Sequence, residues 1–175
     1  MTIIYIITRF LTFPGALVRG LFEQIVCRIH KTPVEDNRYL RSDENSSHIE
    51  HELMKTPGGA FAICFVPMLL QLILAVFVCV TASADLLYLG YFSMPAGIID
   101  IVCLWVGFSL TVNCFPSVED ALNMWEKLYK TKGHVFQKII FAPGAVICYT
   151  GAFLEKYCLT FVSGIAITLI LAFSI

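Results

Sequence analysis

The sequence predicts an all-α fold: a polytopic membrane protein with four to five transmembrane helices and a polar cytoplasmic loop. Two observations lead there. The chain of 175 residues is 58% hydrophobic and only 14% charged, with a mean hydropathy of +0.78, whereas soluble domains carry about a quarter charged residues. Its apolar residues also gather into runs near the roughly 20 residues that cross a bilayer. A soluble fold of this size has too small an interior to hide them.

The first segment, residues 2–27, reads as a span interrupted by Arg9, Pro14, Arg19 and Glu23. A secretory signal is not expected there, because no basic region precedes the apolar stretch and no small-residue cleavage site follows. Residues 59–82 and 94–115 form two further spans. The tail, 139–175, has the length of one long span or two short ones, with breaks at Pro143-Gly144 and Glu155-Lys156. The whole chain, 1–175, is read as a single membrane domain.

Two polar loops separate these spans. Residues 28–58 hold Arg28, Lys31, Arg38, Arg41 and Lys55, and residues 116–138 hold Lys127, Lys130, Lys132 and Lys138. The connection 83–93 has neither Lys nor Arg. The positive-inside bias therefore places both polar loops in the cytoplasm and the N-terminus on the opposite side. In a cytoplasmic loop the glycosylation pattern Asn45-Ser46-Ser47 has no meaning. The first loop is expected to be poorly ordered, or to carry a short strand or a lid. Its cluster His48-Ile49-Glu50-His51-Glu52 lacks the H-E-x-x-H order and reads as a solvated stretch rather than a metal site.

Seven cysteines, an odd number without a C-x-x-C pair, argue against a disulfide framework or a zinc site. Most fall within apolar runs, where free cysteine packs as a small hydrophobe. Cys27, at a membrane edge, is a candidate for acylation. A net charge of −1 provides no basic field for nucleic acid.

Phe13-Pro14-Gly15-Ala16-Leu17-Val18-Arg19-Gly20-Leu21-Phe22-Glu23 is the most informative string. Its Arg19 and Glu23 stand four residues apart and so share one helix face. Charged groups within a span are costly, and they normally face a protein interior or a wet cavity. Asp100, inside the third predicted span, reads either as a partly wet structural aspartate or as a cavity-lining, proton-carrying one. Trp105, Trp125 and the tyrosines read as interface anchors or ligand contacts.

Several separated elements carry a resemblance. Phe13-Pro14-Gly15 leads into Arg19-Gly20-Leu21-Phe22-Glu23 and then Cys27-Arg28. His51-Glu52-Leu53-Met54-Lys55 precedes an apolar span containing Pro67. Asn113-Cys114-Phe115-Pro116-Ser117-Val118-Glu119-Asp120 is followed by the amphipathic stretch Ala121 to Tyr129. In this order, over nearly the whole chain, they resemble a family of small integral-membrane zinc metalloproteases related to the site-2 proteases. In that family the first helix bears H-E-x-x-H, and the aspartate of the last element is the third zinc ligand.

The resemblance implies a degenerate site. Arg19 stands at the first histidine, Gly20 at the general base and Glu23 at the second histidine, while Asp120 alone is retained. Zinc hydrolysis needs neutral imidazole ligands, an open coordination position and a carboxylate to take a proton from bound water. A permanent cation at position 19 repels a metal, and Gly20 activates nothing. The implied function is that of a catalytically inactive relative that binds a membrane segment or partner protein without hydrolysis, with no metal and no cofactor. Its partners are then the lipid bilayer and a membrane protein or peptide segment. Arg19 is expected to act where the metal did, bridging Glu23 along its helix and Asp120 across the interior. The alternative is that Arg19 and Glu23 snorkel to an interface without a shared partner. Two other functions stay open. One is a metalloprotease with altered ligands, separated by its metal content. The other is a small transporter or structural subunit, which neutralising Asp100 tests through ion-coupled flux.

Overall fold

The computed structural model describes residues 2–36, 38, 48–83, 96–130, 135–157 and 159–173. The first apolar segment folds as two helices, α1 (Thr2–Leu11) and α2 (Phe13–Ile29), rather than one interrupted span. The break falls at Thr12, just ahead of Pro14, which sits in the first turn of α2 where its missing N–H is no loss. Carbonyls at the break also accept from outside. The indole of Trp105 donates to the Leu11 carbonyl at 3.1 Å, and the Ser109 hydroxyl donates to the Thr12 carbonyl at 2.6 Å. Both come from the fourth helix, so the break is also a docking point.

At the other end of α2, Lys31 adopts the left-handed conformation, φ 55°. The Thr32 N–H then returns to the Cys27 carbonyl at 2.9 Å and closes the helix. The first polar loop carries two short antiparallel strands, β1 (Val34–Asp36) and β2 (Glu50–His51), with Val34 opposite His51. Asn45-Ser46-Ser47, most of the connection 83–93, and Cys158 lie outside the described residues.

Three helices follow: α3 (Pro57–Ser83), α4 (Ala96–Val112) and the short α5 (Val118–Trp125), which Ser117 caps. A π-helical turn at Glu126–Lys130 extends α5, so the amphipathic stretch from Ala121 is not one regular helix. The tail forms α6 (Val135–Lys156) and α7 (Thr160–Phe173). Pro143-Gly144 does not break α6; the chain turns only after Lys156. The chain is thus mostly helical. Two of these helices, over Pro57–Val80 and Lys138–Lys156, are long and apolar enough to cross a membrane. The apolar parts of α4 and α7 are shorter.

Helix α4 packs on α2, α3 and α7, while α5 lies on α6. Val26, Met54, Ile63, Met68 and Met124 form the core with Cys27, Cys64, Cys114 and Cys148. These thiols are free and buried, which fits cysteine packing as a small apolar side chain.

The Phe13-Pro14-Gly15 motif has a packing reason. A Cβ at Gly15 would lie 2.0 Å from the Ser109 carbonyl oxygen, and the Gly15 N–H donates to the Ser109 hydroxyl at 2.7 Å. Backbone cannot give way as a flexible side chain does. Gly15→Ala is therefore expected to cost about 1–3 kcal/mol or more through forced helix separation. Gly58→Ala, where a Cβ meets open space, should be neutral or slightly stabilising through helix propensity. Denaturation of the two variants side by side checks the contrast.

Candidate functional site

The requirement that buried charges find partners organises the interior. Arg9, Arg19, Glu23, His48 and Glu155 are all buried, and hydrogen bonds join them into one cluster. Helix α1 supplies Arg9, α2 supplies Arg19 and Glu23, and α6 supplies Glu155 in its last turn. His48 comes from the residues just before β2.

Arg19 Nε donates to Glu23 Oε1 at 2.7 Å, the pairing their spacing predicts. The same oxygen faces His48 Nδ1 at 2.8 Å, and the Ile49 N–H donates to Glu23 Oε2 at 3.1 Å. On its other side His48 Nε2 lies 2.8 Å from Glu155 Oε1. Arg9 completes the chain, with Nη2 on Glu155 and Nη1 donating to the Asn113 side chain. Asn113 in turn donates to the Thr12 hydroxyl at 2.9 Å and the Ser109 carbonyl at 2.7 Å. Helices α1, α2, α4 and α6 and the first polar loop are thereby tied together.

The expected bridge from Arg19 to Asp120 is not made. Arg19 Nη1 instead donates to the Cys114 carbonyl at 2.7 Å. The chain at Cys114 lies between α4 and α5, outside regular helix, so its carbonyl is open to an outside donor. Asp120 is held by the α5 cap, where Ser117 donates to Oδ2 at 2.8 Å, and by His51 Nε2 at 3.5 Å. Its charge and that of Glu23 both reach the thiols of Cys27 and Cys64, so the two carboxylates share a neighbourhood without sharing Arg19. Nor do Arg19 and Glu23 snorkel to an interface, both being fully buried.

The reading of the His48–Glu52 stretch as solvated is corrected. His48 is only 4% exposed, because its ring fills the gap between two carboxylates that would otherwise repel each other. Carboxylate oxygens only accept, so contact at both ring nitrogens requires two N–H donors and hence an imidazolium. Burial opposes that charge, but Glu23 and Glu155 outweigh it and raise the His48 pKa to about 9. His51 behaves similarly. Its Nδ1–H donates to the Glu52 carbonyl at 2.9 Å; burial again lowers the pKa, and Asp120 more than compensates, raising it to about 9.

Gly20 is buried in α2 beside Arg19 and brings no functional group. Asp100 is half-buried near the start of α4, roughly 18 Å along that helix from its end at Val112. It stands apart from the cluster. No family model, curated protein or solved structure matches this chain.

Beside the cluster, β1, β2 and the start of α5 enclose a cavity of about 360 Å³. Five carboxylates (Glu35, Glu50, Glu52, Glu119 and Asp120) line it with His48, His51 and Ser117. Among the described residues no three His, Cys, Asp or Glu side chains are arranged to hold a metal ion. Among the described residues every hydrogen bond of Glu23 comes from a donor, which leaves it poorly placed to ligate a cation or take a proton from water. The cluster is not fully satisfied, however. Arg19 Nη2 and Glu155 Oε2 are buried without a hydrogen-bond partner among the described residues. Such a network is costly to assemble and more costly to break.

The sequence reading missed Arg9, His48, Asn113 and Glu155 as members of the site. One signal was present: Glu155 is a lone carboxylate in an apolar tail, and a carboxylate in low dielectric needs a cation.

Proposed function

We propose that this chain is an integral membrane protein, with its polar loops cytoplasmic, that binds a membrane segment or partner protein without cutting it. On this reading it is a non-catalytic counterpart of the integral-membrane zinc metalloproteases it resembles. The observation that carries the proposal is the occupation of Glu23 by Arg19, His48 and the Ile49 N–H. The resemblance would make Glu23 a metal-ligand position, and here a guanidinium and an imidazolium engage it instead of a metal.

The membrane part rests on which surfaces stay apolar. Helix α3 leaves Leu69, Leu70, Ile73, Val76 and Phe77 exposed, Phe77 by 80%. A core helix of a soluble protein buries most of such a face, whereas only 39% of the most apolar stretch of α3 is buried. Helices α6 and α7 expose Ile139, Ile140, Val162 and Ile170 in the same way. Lipid is the solvent that suits these faces.

Metal content is the direct test. The purified, detergent-solubilised protein is expected to be free of zinc, while an Arg19→His/Gly20→Glu/Glu23→His variant should gain about one equivalent, the stoichiometry of a single such site. Stoichiometric zinc in the natural protein would overturn the non-catalytic reading and reopen hydrolysis through altered ligands.

A further inference from the structure

We infer that a second, cationic cavity at the start of α3 binds the phosphate of an anionic phospholipid headgroup. The inference rests on the membrane reading above. It concerns a different part of the molecule from the buried cluster.

The cavity, of about 150 Å³, lies between the end of α2 and the first turn of α3. His30, Lys31, Lys55, Thr32 and Thr56 line it, with Glu52 as its single acid. Lys55 Nζ lies 3.7 Å from Glu52, so that acid is engaged by one lysine and leaves Lys31 uncompensated. Lys31 makes no ion pair among the described residues.

Three local features suit a phosphate. Lys31 occupies the left-handed position after α2, where glycine is the usual residue and a lysine is disfavoured. The side chain is thus kept at the cavity despite its backbone preference. The Thr56 hydroxyl accepts the Gly59 N–H at 3.1 Å, which leaves its own proton to donate. Gly59 also makes room for an imidazole. A Cβ there would stand 3.3 Å from His30 Nδ1 and 2.9 Å from Thr56 Oγ1. Two ammonium groups, an imidazole and a hydroxyl are compact charge-assisted donors of the kind phosphate oxygens bind.

The location selects the source of that phosphate. The cavity opens where α3, one of the two helices long enough to span, begins at Pro57. Ile29 at the end of α2 is 71% exposed and would sit against acyl chains just below. That is headgroup depth, and the cytoplasmic leaflet to which these basic residues point is the anionic one.

The test uses the full chain in nanodiscs of phosphatidylcholine, with or without phosphatidylserine. Lipid retained through purification is measured by mass spectrometry. The natural protein is expected to enrich phosphatidylserine. Lys31→Gln/Lys55→Gln should weaken that preference about 30-fold, at roughly fivefold for each lysine near an anionic surface. Lys127→Gln/Lys130→Gln, which removes the same charge elsewhere, should leave most of it. Equal loss in both pairs would mean diffuse surface attraction and overturn the site. Displacement of phosphatidylserine by millimolar inorganic phosphate would overturn the lipid assignment, leaving a site for free phosphate. Incorporation without any lipid preference would overturn the headgroup site while leaving the membrane reading intact. A chain that fails to enter nanodiscs at all would overturn both.

Discussion

Glu23→Ala is expected to destabilise the protein by about 3–5 kcal/mol, the range found when one partner of a buried ion pair is removed. Glu23 is the hub of the cluster: it accepts from Arg19, from His48 and from the Ile49 N–H. Its loss leaves two buried cations each short of an anion. Arg19→Ala should cost less, because Glu23 then keeps His48 and Ile49, although the Cys114 carbonyl loses its donor. The double variant should cost far less than the sum, with a coupling of up to about 3 kcal/mol between these contacting residues. The pair Arg19 and Asp120 gives the contrast. They share no bond, since Asp120 is held by Ser117 and His51, so they should couple far more weakly than Arg19 and Glu23 do. Equilibrium unfolding in mixed micelles measures both cycles. Additive losses for Arg19 and Glu23 would mean that the pair contributes nothing as a unit. Strong coupling between Arg19 and Asp120 would restore the bridge that the geometry lacks.

The two cycles also separate what the sequence discloses from what it hides. The Arg19–Glu23 contact was legible because helical geometry fixes an i, i+4 pair from spacing alone. The apolar runs at 59–82 and 94–115 were legible for a similar reason, and they reappear as α3 and α4 within a few residues. The partners that complete the site are 104 residues apart for Arg9 and Asn113, and 107 for His48 and Glu155. No local period encodes such contacts; they follow from which helices pack together. Composition also misled. His48 lies in a polar, acidic stretch that reads as solvated, yet two buried carboxylates recruit it as their counter-charge. The break at Thr12 was hidden because the side chains that bond the carbonyls there lie about 100 residues away on α4, with separations of 94 and 97. Spacing along α2 placed Arg19 and Glu23 on one face. It could not indicate that Arg19 would turn to the Cys114 carbonyl rather than to Asp120.

Raising the pH from 7 toward 9 is expected to unfasten the first polar loop from the helices and to lower stability by about 2 kcal/mol, most of the roughly 3 kcal/mol of linkage energy of a histidine titrating near 6.5 when unfolded and near 9 when folded. The direction follows from proton counting. Between those two values the unfolded chain has released the His48 proton while the folded chain still holds it, so folding loses ground as protons become scarce. Below about pH 6.5 the contribution is complete and flat. Four charged groups set the balance around the ring: Glu23 and Glu155 hold the proton, while Arg9 and Arg19 are drawn to the same carboxylates and oppose it. His51 acts in the same direction through Asp120, with less weight because it meets one carboxylate at 3.5 Å where His48 meets two at 2.8 Å. His48→Gln should therefore lose most of the slope, which is about 1.4 kcal/mol per pH unit for a full proton difference. The small remainder would belong to His51, and His51→Gln on top of it should leave the profile nearly flat. Denaturation across this window, with amide exchange followed on residues 48–52, reads both parts. A natural protein whose stability does not fall above pH 7 would mean that His48 carries no second proton. One of its two 2.8 Å contacts would then have no hydrogen to share, and the loop would be held by packing instead of by charge.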